Sequence, residues 1–445
     1  MCSILVTNLV KDLFKANRFL KNRGPDATNI LQLNGYSFLH NLLSLTGSFA
    51  PQPYVDMENQ IVCLFNGEIY NYNEFGAFPS DGGCLIPAYL KHGENFPQRL
   101  DGEFAIVLLD FKKNRMLLAT DTFATKPLWV ATCGRGLGVA TYESGLKGLG
   151  FSRSEKLPAN RIFVYDLGNL KKIHEADTTV FELEQDREDF EGWFSAFREA
   201  IRKRACHSQG KSLFMGLSCG YDSGAIACEL AAQKMDFKAY TVSASEDLSL
   251  IEKRHKLLKN TEIIRLSKSE YEAVKKELQK GCEQFWQLKP DGKQLYNMLR
   301  DQAAVGLAVV CKRATGEGRR IYFSGQGADE IMSDYGMNGQ GMYGKPSQLG
   351  GIFPEDLRSV FPWKNFFDGA QRMFLAKEEH VVGTYGVEAR YPYLDKRLVQ
   401  EFLRLSPKLK NAHYKAPLRE YFVRNNYPFA EGVKMGFFAA HGLTG

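Results

Sequence analysis

Short apolar and alternating runs, separated by turn residues such as Asp81-Gly82-Gly83, dominate the first 180 residues of the chain. Runs of this length and pattern are typical of β-strands. We predict strands over residues 3–9, 36–45, 60–65, 104–110, 115–120, 137–141 and 161–166. This density of strands predicts an α+β domain built from layered antiparallel sheets.

The pattern changes after residue 190, where strand-like runs alternate with helical periodicity, as in the apolar positions between Trp193 and Arg204. We predict strands over residues 212–217, 237–243, 262–266 and 320–323, and helices over 193–204, 225–233, 269–279 and 293–312. Alternating strands and helices predict an α/β domain with a parallel sheet. The acidic stretch 176–191 separates the two patterns, which gives a first domain over residues 2–180 and a second over 190–445.

Composition favours a soluble globular protein, because the 445 residues are 44% hydrophobic and 24% charged. No apolar stretch reaches the roughly 18 residues of a membrane span, and the N-terminus lacks a signal-peptide pattern, so we expect no membrane association. The formal charge of +6 is spread too thinly to indicate nucleic-acid binding. Nine cysteines, an odd number without a CxxC pair, argue against a disulfide framework and a zinc site, so we expect a protein of the reducing cytoplasm. The eight histidines show no HxxxH or HExxH spacing and so indicate no metal centre.

Cys2 directly follows the initiator methionine. Removal of Met1 would leave a thiol and a free α-amine on one residue. An α-amine has a pKa of about 7.7–8.0 and a thiol about 8.5, so the amine can help to deprotonate the thiol without a separate histidine. The alternative is an ordinary cysteine near a start codon, and residues further along the chain decide between the two.

The segment Asn66-Gly67-Glu68 follows a predicted strand. An amide side chain and a neighbouring backbone N–H can both donate to the oxyanion that forms when a thiolate attacks an amide carbon. Glu68 and Asp81 could then bind the ammonium group of a substrate. Taken alone, an Asn-Gly pair is also a common turn.

Two loops of small residues follow predicted strands in the second domain, at residues 218–224 and 324–330. Backbone N–H groups of the first loop, the Ser218 and Ser223 hydroxyls and the helix dipole would form an anion site. Asp222 and Asp329, at the carboxyl ends of two parallel strands, could hold Mg²⁺ against a triphosphate. Two unrelated turns are the alternative interpretation of these loops.

Together, these motifs resemble a known family. Cys2 and the segments 23–26, 66–71, 101–105 and 121–128 resemble the glutaminase domain of class II glutamine amidotransferases. Segments 218–223, 324–330, 388–395 and 415–419 resemble the asparagine synthetase domain with its pyrophosphatase-type loop. Because the motifs follow one another in order over nearly the whole chain, it is identified as a divergent member of the asparagine synthetase family. The resemblance implies an N-terminal nucleophile hydrolase-like first domain.

The resemblance also implies the chemistry of both domains. Cys2 would hydrolyse glutamine, with Asn66 and Gly67 as the oxyanion hole, and ammonia would pass through an internal tunnel. In the second domain, ATP and Mg²⁺ would activate a carboxylate as its acyl-adenylate, pyrophosphate would leave and ammonia would attack. The expected partners are glutamine or free ammonia and a carboxylate acceptor, and a homodimer stays open as the assembly.

By position, the resemblance assigns roles to individual residues. Catalysis falls to Cys2, Asn66, Gly67, Gln326 and Lys415, of which Lys415 would stabilise charge on the transferring phosphate. Glutamine binding falls to Asn66, Glu68 and Asp81, nucleotide binding to Leu217, Ser218, Gly220, Asp222, Ser223, Val242, Ser324 and Gly325, and metal binding to Asp222 and Asp329.

Four residues depart from the family pattern. Leu42 stands where an arginine usually pairs with the α-carboxylate of glutamine, a loss that we expect to weaken binding by about 1.5–3 kcal/mol. Gln326 replaces a glutamate, and a neutral amide cannot act as a base. Cys219 and Gly224 replace the usual glycine and serine of the phosphate loop, so we expect an altered nucleotide affinity.

Two further functions stay open from the sequence. One is an intramolecular amide-forming cyclase of the β-lactam or lasso-peptide type, although such relatives generally lack a residue like Cys2. The other is a degenerate, non-enzymatic binding protein, motivated by Leu42 and Gln326. The chain is also shorter than typical asparagine synthetases, so the acceptor is expected to be aspartate or another carboxylate.

Overall fold

The computed structural model describes residues 1–207, 212–243, 246–288, 295–342 and 346–432. The chain divides into two compact units. The first comprises Met1–Val180 with the short segments Gly281–Glu283 and Gly383–Gly386, and the second comprises the remaining residues from Phe181 onward. None of the described helices has both the length and the apolar character needed to cross a bilayer.

The first unit contains two six-stranded sheets. Its strands are β1 (Ser3–Thr7), β2 (Ala27–Leu33), β3 (Tyr36–Leu42), β4 (Tyr54–Asp56), β5 (Ile61–Ile69), β6 (Gly102–Asp110), β7 (Arg115–Thr120), β8 (Trp129–Cys133), β9 (Gly136–Ala140), β10 (Glu155–Lys156), β11 (Ile162–Asp166) and β12 (Lys172–Ala176). One sheet has the order β10-β8-β9-β1-β3-β2 and the other β12-β11-β7-β6-β5-β4. All the neighbouring strands are antiparallel, which confirms the predicted fold class.

Helices cover the outer faces of both sheets. They are α1 (Leu13–Ala16), α2 (Leu85–His92) and α3 (Glu143–Gly148), with 3₁₀ turns at Leu20–Arg23, Tyr72–Phe75, Asp81–Cys84 and Gly93–Arg99. Ile4 and Val62 pack between the two sheets. Leu5 points the other way, into a cluster with Leu146 of α3, and Phe65 packs in a cluster with residues of α2. Both faces of the central strands are therefore buried, which explains their continuous apolar runs.

Strand β5 extends to Ile69, beyond the predicted end at residue 65. Asn66 pairs with Ala105 and Gly67 with Phe104, so the Asn-Gly pair lies within the sheet and forms no turn. Gly67 has φ 143°, and a Cβ atom there would lie 1.8 Å from the carbonyl oxygen of Glu103. Only glycine allows β5 and β6 to approach so closely at this point.

The second unit is built around a five-stranded parallel sheet, as predicted. The strands after residue 200 are β13 (Leu213–Gly216), β14 (Phe237–Val242), β15 (Thr261–Ile264), β16 (Trp286–Leu288), β17 (Leu295–Asn297), β18 (Ile321–Phe323), β19 (Gly336–Met337), β20 (Gln340–Gly341) and β21 (Glu388–Arg390). The parallel sheet has the order β15-β14-β13-β18-β21. The order reverses direction between β13 and β18, and ligands of open α/β sheets bind at such a switch point.

Eleven helices follow residue 190 in the described ranges. They are α4 (Glu191–Cys206), α5 (Tyr221–Ala232), α6 (Leu248–Leu257), α7 (Lys268–Gly281), α8 (Gln302–Gly316), α9 (Ala328–Met332), α10 (Lys364–Phe367), α11 (Gly369–Thr384), α12 (Lys396–Arg404), α13 (Pro407–Lys410) and α14 (Ala416–Arg424). Shorter 3₁₀ turns lie at Met298–Arg300, Leu357–Ser359 and Pro392–Leu394.

The predicted helix over residues 293–312 is wrong in its first part. Residues 293 and 294 lie outside the described ranges, and Leu295–Asn297 forms a strand that pairs with Trp286–Leu288. Helix α8 begins at Gln302, where the Asp301 side chain accepts from the N–H of Ala303 and caps the helix. The apolar residues that suggested a longer helix belong partly to this hairpin.

Asp395 ties α12 to α4 in the interior of the second unit. It accepts from Lys203 Nζ at 2.5 Å and Arg204 Nη1 at 2.8 Å, and its other oxygen caps α12 through the N–H of Arg397. Burial alone would raise the pKa of Asp395, but the charges of Lys203 and Arg204 hold it well below its ordinary value.

Replacing Asp395 with asparagine should destabilise the second unit by about 3–5 kcal/mol, because two buried cations lose their counter-charge. A depressed pKa contributes stability above the ordinary pKa of aspartate, about 3.9, and this contribution is lost as the pH falls through the folded-state value. The difference in urea midpoint between wild type and variant should therefore be large at pH 7 and shrink in acid. Asp356→Asn, at an exposed 3₁₀ cap, is the matched control and should cost under about 1 kcal/mol. Equal midpoints at pH 7 would contradict the assignment.

Candidate functional site

The first candidate site surrounds Cys2, the residue that directly precedes β1. The backbone nitrogen of Cys2 donates to Asn66 Oδ1 at 3.0 Å, and Asn66 is fully buried. In the described part of the chain, Asn66 Nδ2 has no hydrogen-bond partner. An unpaired buried donor costs about 1–3 kcal/mol, and functional sites are where such groups persist. The Asn66 amide thus holds the nitrogen of the candidate nucleophile with one atom and leaves the other to donate.

Arg23 fixes the backbone of the same cysteine. Its fully buried guanidinium donates from Nε to the carbonyl oxygen of Cys2 at 3.1 Å and from Nη1 to Tyr142 Oη at 2.7 Å. The Cys2 thiol lies 4.0 Å from the carbonyl oxygen of Leu43. Arg23 opens the sequence motif at residues 23–26, and the structure shows that it orients Cys2.

The two predicted glutamine-binding carboxylates lie together near the end of β5. Glu68 accepts from Thr46 Oγ1, which lies 2.8 Å from each carboxylate oxygen. Asp81 accepts from the N–H of Ile69 at 2.9 Å. The structure thus brings Asn66, Glu68 and Asp81 to the same end of one strand, where two buried carboxylates suit a cation such as an α-ammonium group.

Leu42 ends β3 and is buried. Burial, together with the charge of the N-terminal amine, lowers the pKa of His40 on the same strand to about 3, so His40 is neutral. Neither residue supplies the positive charge that the family places at position 42.

The second candidate site lies at the switch point of the parallel sheet. The Ser218 and Ser223 hydroxyl oxygens are 2.8 Å apart, and the N–H of Gly220 donates to Ser218 Oγ at 3.1 Å. Helix α5 begins at Tyr221, earlier than predicted, so Asp222 and Ser223 lie in its first turn. The loop is thereby folded on itself at the positive end of a helix, which favours an anion.

The other predicted nucleotide-binding residues flank this loop. Leu217 donates through its N–H to the carbonyl oxygen of Tyr240 at 2.8 Å, and Val242 ends the neighbouring strand β14. Ser324 follows β18 on the other side. A Cβ atom on Gly325 would lie 3.0 Å from Asp222 Cβ, so a glycine lets the two loops meet.

Lys415 joins the two candidate metal ligands. Its Nζ lies 2.5 Å from Asp222 Oδ1 and 2.8 Å from Asp329 Oδ1, and its side chain is 1% exposed. Burial alone would lower the pKa of Lys415, but the two carboxylates raise it well above its ordinary value. Lys415 is therefore a fixed cation beside the phosphate loop.

Mg²⁺ suits the pair of Asp222 and Asp329, since it is usually bound by one or two carboxylates together with substrate phosphates and water. In the described ranges, no three His, Cys, Asp or Glu side chains gather closely enough to hold a metal by themselves. The protein's share of a magnesium site would therefore be these two carboxylates.

The Gln326 side chain is engaged in a hydrogen bond within its own loop and helix. Its Nε2 donates to Glu330 Oε1 at 2.5 Å, and Glu330 also accepts from Tyr335 Oη at 2.7 Å. Ser324 Oγ, in contrast, donates to Glu378 of α11 at 2.6 Å. Burial raises the pKa of Glu378 to about 7.

Sequence reasoning missed Glu378, and with it Arg254 and Glu246, which contact the phosphate loop. Glu378 lies in a run of charged residues on a helix, with no motif around it. Its contact with Ser324 is formed only in the folded chain, where α11 brings it to the residue that follows β18.

Comparisons with known proteins agree over nearly the whole chain. Residues 1–182 match the family model described as a glutamine amidotransferase domain, and residues 193–347 and 365–439 match the model described as asparagine synthase. A glutamine-hydrolysing asparagine synthetase of Brassica oleracea is 25% identical, over 92% of this chain and 71% of that enzyme. A second such enzyme, from Lotus japonicus, is also 25% identical, over 92% of this chain and 71% of its own. A solved glutamine PRPP amidotransferase from B. subtilis is 13% identical over 53% of this chain and 65% of that one. Its TM-score of 0.33 is too low to establish a shared fold.

Proposed function

The chain belongs to the asparagine synthase family and is a glutamine-dependent carbon–nitrogen ligase driven by ATP, and we propose that it amidates a carboxylate through an acyl-adenylate. One observation supports this route above the others. Lys415, Asp222 and Asp329 converge beside the phosphate loop at the switch point of the parallel sheet, which is an arrangement for binding a triphosphate and stabilising charge on it.

In the first unit, the Cys2 thiolate attacks the side-chain carbonyl carbon of glutamine once the α-amine is freed and has taken the thiol proton. Asn66 Nδ2 and the Gly67 N–H donate to the oxyanion of the tetrahedral intermediate. Its collapse breaks the C–N bond, and ammonia leaves with the proton. Water then hydrolyses the thioester and releases glutamate.

In the second unit, an oxygen of the acceptor carboxylate attacks the α-phosphorus of ATP, and the bond to pyrophosphate breaks. Lys415 offsets the charge that develops on the departing phosphates. Mg²⁺, held by Asp222 and Asp329, would add charge neutralisation to the triphosphate. Ammonia then attacks the acyl carbon, the amide bond forms and AMP leaves.

Without a cation at Leu42, the α-carboxylate of glutamine loses its usual partner, so free ammonia is a competing nitrogen source. The acceptor is aspartate or another carboxylate. The test is to incubate the enzyme with ATP, Mg²⁺, ammonium and a panel of carboxylic acids. We expect AMP and pyrophosphate with at least one acid, whereas ADP and phosphate, or no nucleotide turnover with any acid, would refute the adenylate route.

Glu378 replaces the base that Gln326 cannot supply. A proton from the attacking nitrogen can pass to Ser324 Oγ as the serine proton passes to Glu378. Since the pKa of Glu378 is raised to about 7, its base form is present above that pH and is lost below it. At a constant concentration of un-ionised ammonia, amide formation should rise about tenfold between pH 6 and pH 8. The Glu378→Gln variant should be slower and lack this rise, and an unchanged profile in the variant would exclude Glu378 as the base.

A further inference from the structure

We propose that Arg254 is a positioning residue of the phosphate loop, and that Gly224 is present because Arg254 needs its space. This inference rests on the proposed use of ATP. Arg254 lies on α6 and is fully buried. Its Nη1 donates to the carbonyl oxygens of Ser218 at 2.5 Å and Gly220 at 3.0 Å. One guanidinium thus holds two carbonyls of the loop.

These two bonds set the direction of two loop N–H groups. In a planar trans peptide the C=O and N–H point in opposite directions, so a cation on the carbonyl side turns the N–H groups of Cys219 and Tyr221 to the other side. The N–H of Cys219 donates to Glu246 Oε2 at 2.6 Å. The face of the loop opposite Arg254 therefore presents N–H donors, which suit the oxygens of a phosphate.

The far side of Arg254 is fixed as well. Its Nε donates to the carbonyl oxygen of Pro428 at 3.0 Å, and its Cζ lies 5.5 Å from the ring centre of Tyr427. In the described part of the chain, Nη2 has no hydrogen-bond partner although it is buried. Arg254 thus places a rigid positive charge directly behind the loop, which adds to the field of α5.

Gly224 makes room for this guanidinium. A Cβ atom at position 224 would lie 2.7 Å from both Cζ and Nη1 of Arg254, closer than real side chains approach. The serine that the family usually carries would displace the guanidinium from Ser218 and Gly220. Gly224 and Arg254 therefore act as a pair. The glycine, from which the sequence predicted an altered nucleotide affinity, is what allows Arg254 to hold the phosphate loop.

The test compares Arg254→Met, Gly224→Ser and the double variant by binding of a non-hydrolysable ATP analogue and by the KM for ATP. Each single variant should weaken analogue binding and raise the KM for ATP by about tenfold to hundredfold, because charge-assisted hydrogen bonds are lost. The change in kcat should be smaller. The double variant should be no worse than Arg254→Met alone, because the serine then meets no guanidinium. Arg254→Lys should recover part of the affinity by restoring the charge.

Glutaminase activity and thermal unfolding identify variants that fail to fold. A loss confined to kcat, with an unchanged KM for ATP, would indicate a merely structural role and overturn the proposal. Wild-type affinity in both single variants, or additive effects in the double variant, would also overturn it. If the wild type itself does not bind the ATP analogue, the proposed function is wrong. If the wild type binds the analogue and the variants bind it equally well, only the role of Arg254 is wrong.

Discussion

Replacing Cys2 with alanine should lower glutamine-dependent amide formation by about a thousandfold or more, while ammonia-dependent formation stays within about twofold of the wild-type rate. The thiol forms the only covalent bond to glutamine in the proposed route, and the hydrogen bond from the Cys2 nitrogen to Asn66 can persist in the variant. The measurement is glutamate release from glutamine, together with AMP formation from ammonium in the same preparation.

Cys133→Ala is the matched control, because Cys133 is an exposed cysteine of the same unit. It should leave both activities unchanged. Equal glutamate release by Cys2→Ala and the wild type would remove the cysteine from the reaction. Loss of both activities in Cys2→Ala would show instead that Cys2 supports the fold.

Replacing Lys415 with methionine should lower ATP-dependent amide formation by about a hundredfold to a thousandfold and leave glutamate release in place. Lys415 is the buried cation between Asp222 and Asp329, so its loss removes the charge that would directly offset the departing pyrophosphate. The measurement is the rate of AMP formation at saturating ATP and ammonium.

Lys408→Met, an exposed lysine on the short helix α13, is the matched control and should keep wild-type rates. Thermal unfolding of Lys415→Met separates lost chemistry from the destabilisation expected when two partly buried carboxylates lose their partner. A folded Lys415→Met variant that forms AMP at the wild-type rate would contradict the role of Lys415.

The sequence predicts the fold class well where the burial of a strand leaves a regular apolar pattern. Strands buried on both faces, such as β1, carry continuous apolar runs, and the strand–helix alternation after residue 200 predicts the parallel sheet correctly. It fails where pairing with a distant segment decides the structure. Pairing with β6 extends β5 through Gly67, and Leu295–Asn297 is a strand only because it meets Trp286–Leu288.

The candidate sites show the same division. Motifs indicated Cys2, Asp222 and Lys415, because their neighbours in sequence carry a recognisable pattern. Glu378 and Arg254 carry none, since each reaches its loop from a helix that only the tertiary fold brings near. Gly224 illustrates the difference most clearly, because its significance depends on the side chain that lies against it.

The central claim is that one enzyme moves the amide nitrogen of glutamine to a carboxylate at the expense of ATP. Its most direct test supplies [amide-¹⁵N]glutamine, ATP, Mg²⁺ and an acceptor that supports AMP formation, and measures glutamate, AMP and ¹⁵N in the product. The account predicts glutamate, AMP and ¹⁵N-labelled amide in equal amounts. Glutamate release without labelled product, or ADP in place of AMP, would contradict it.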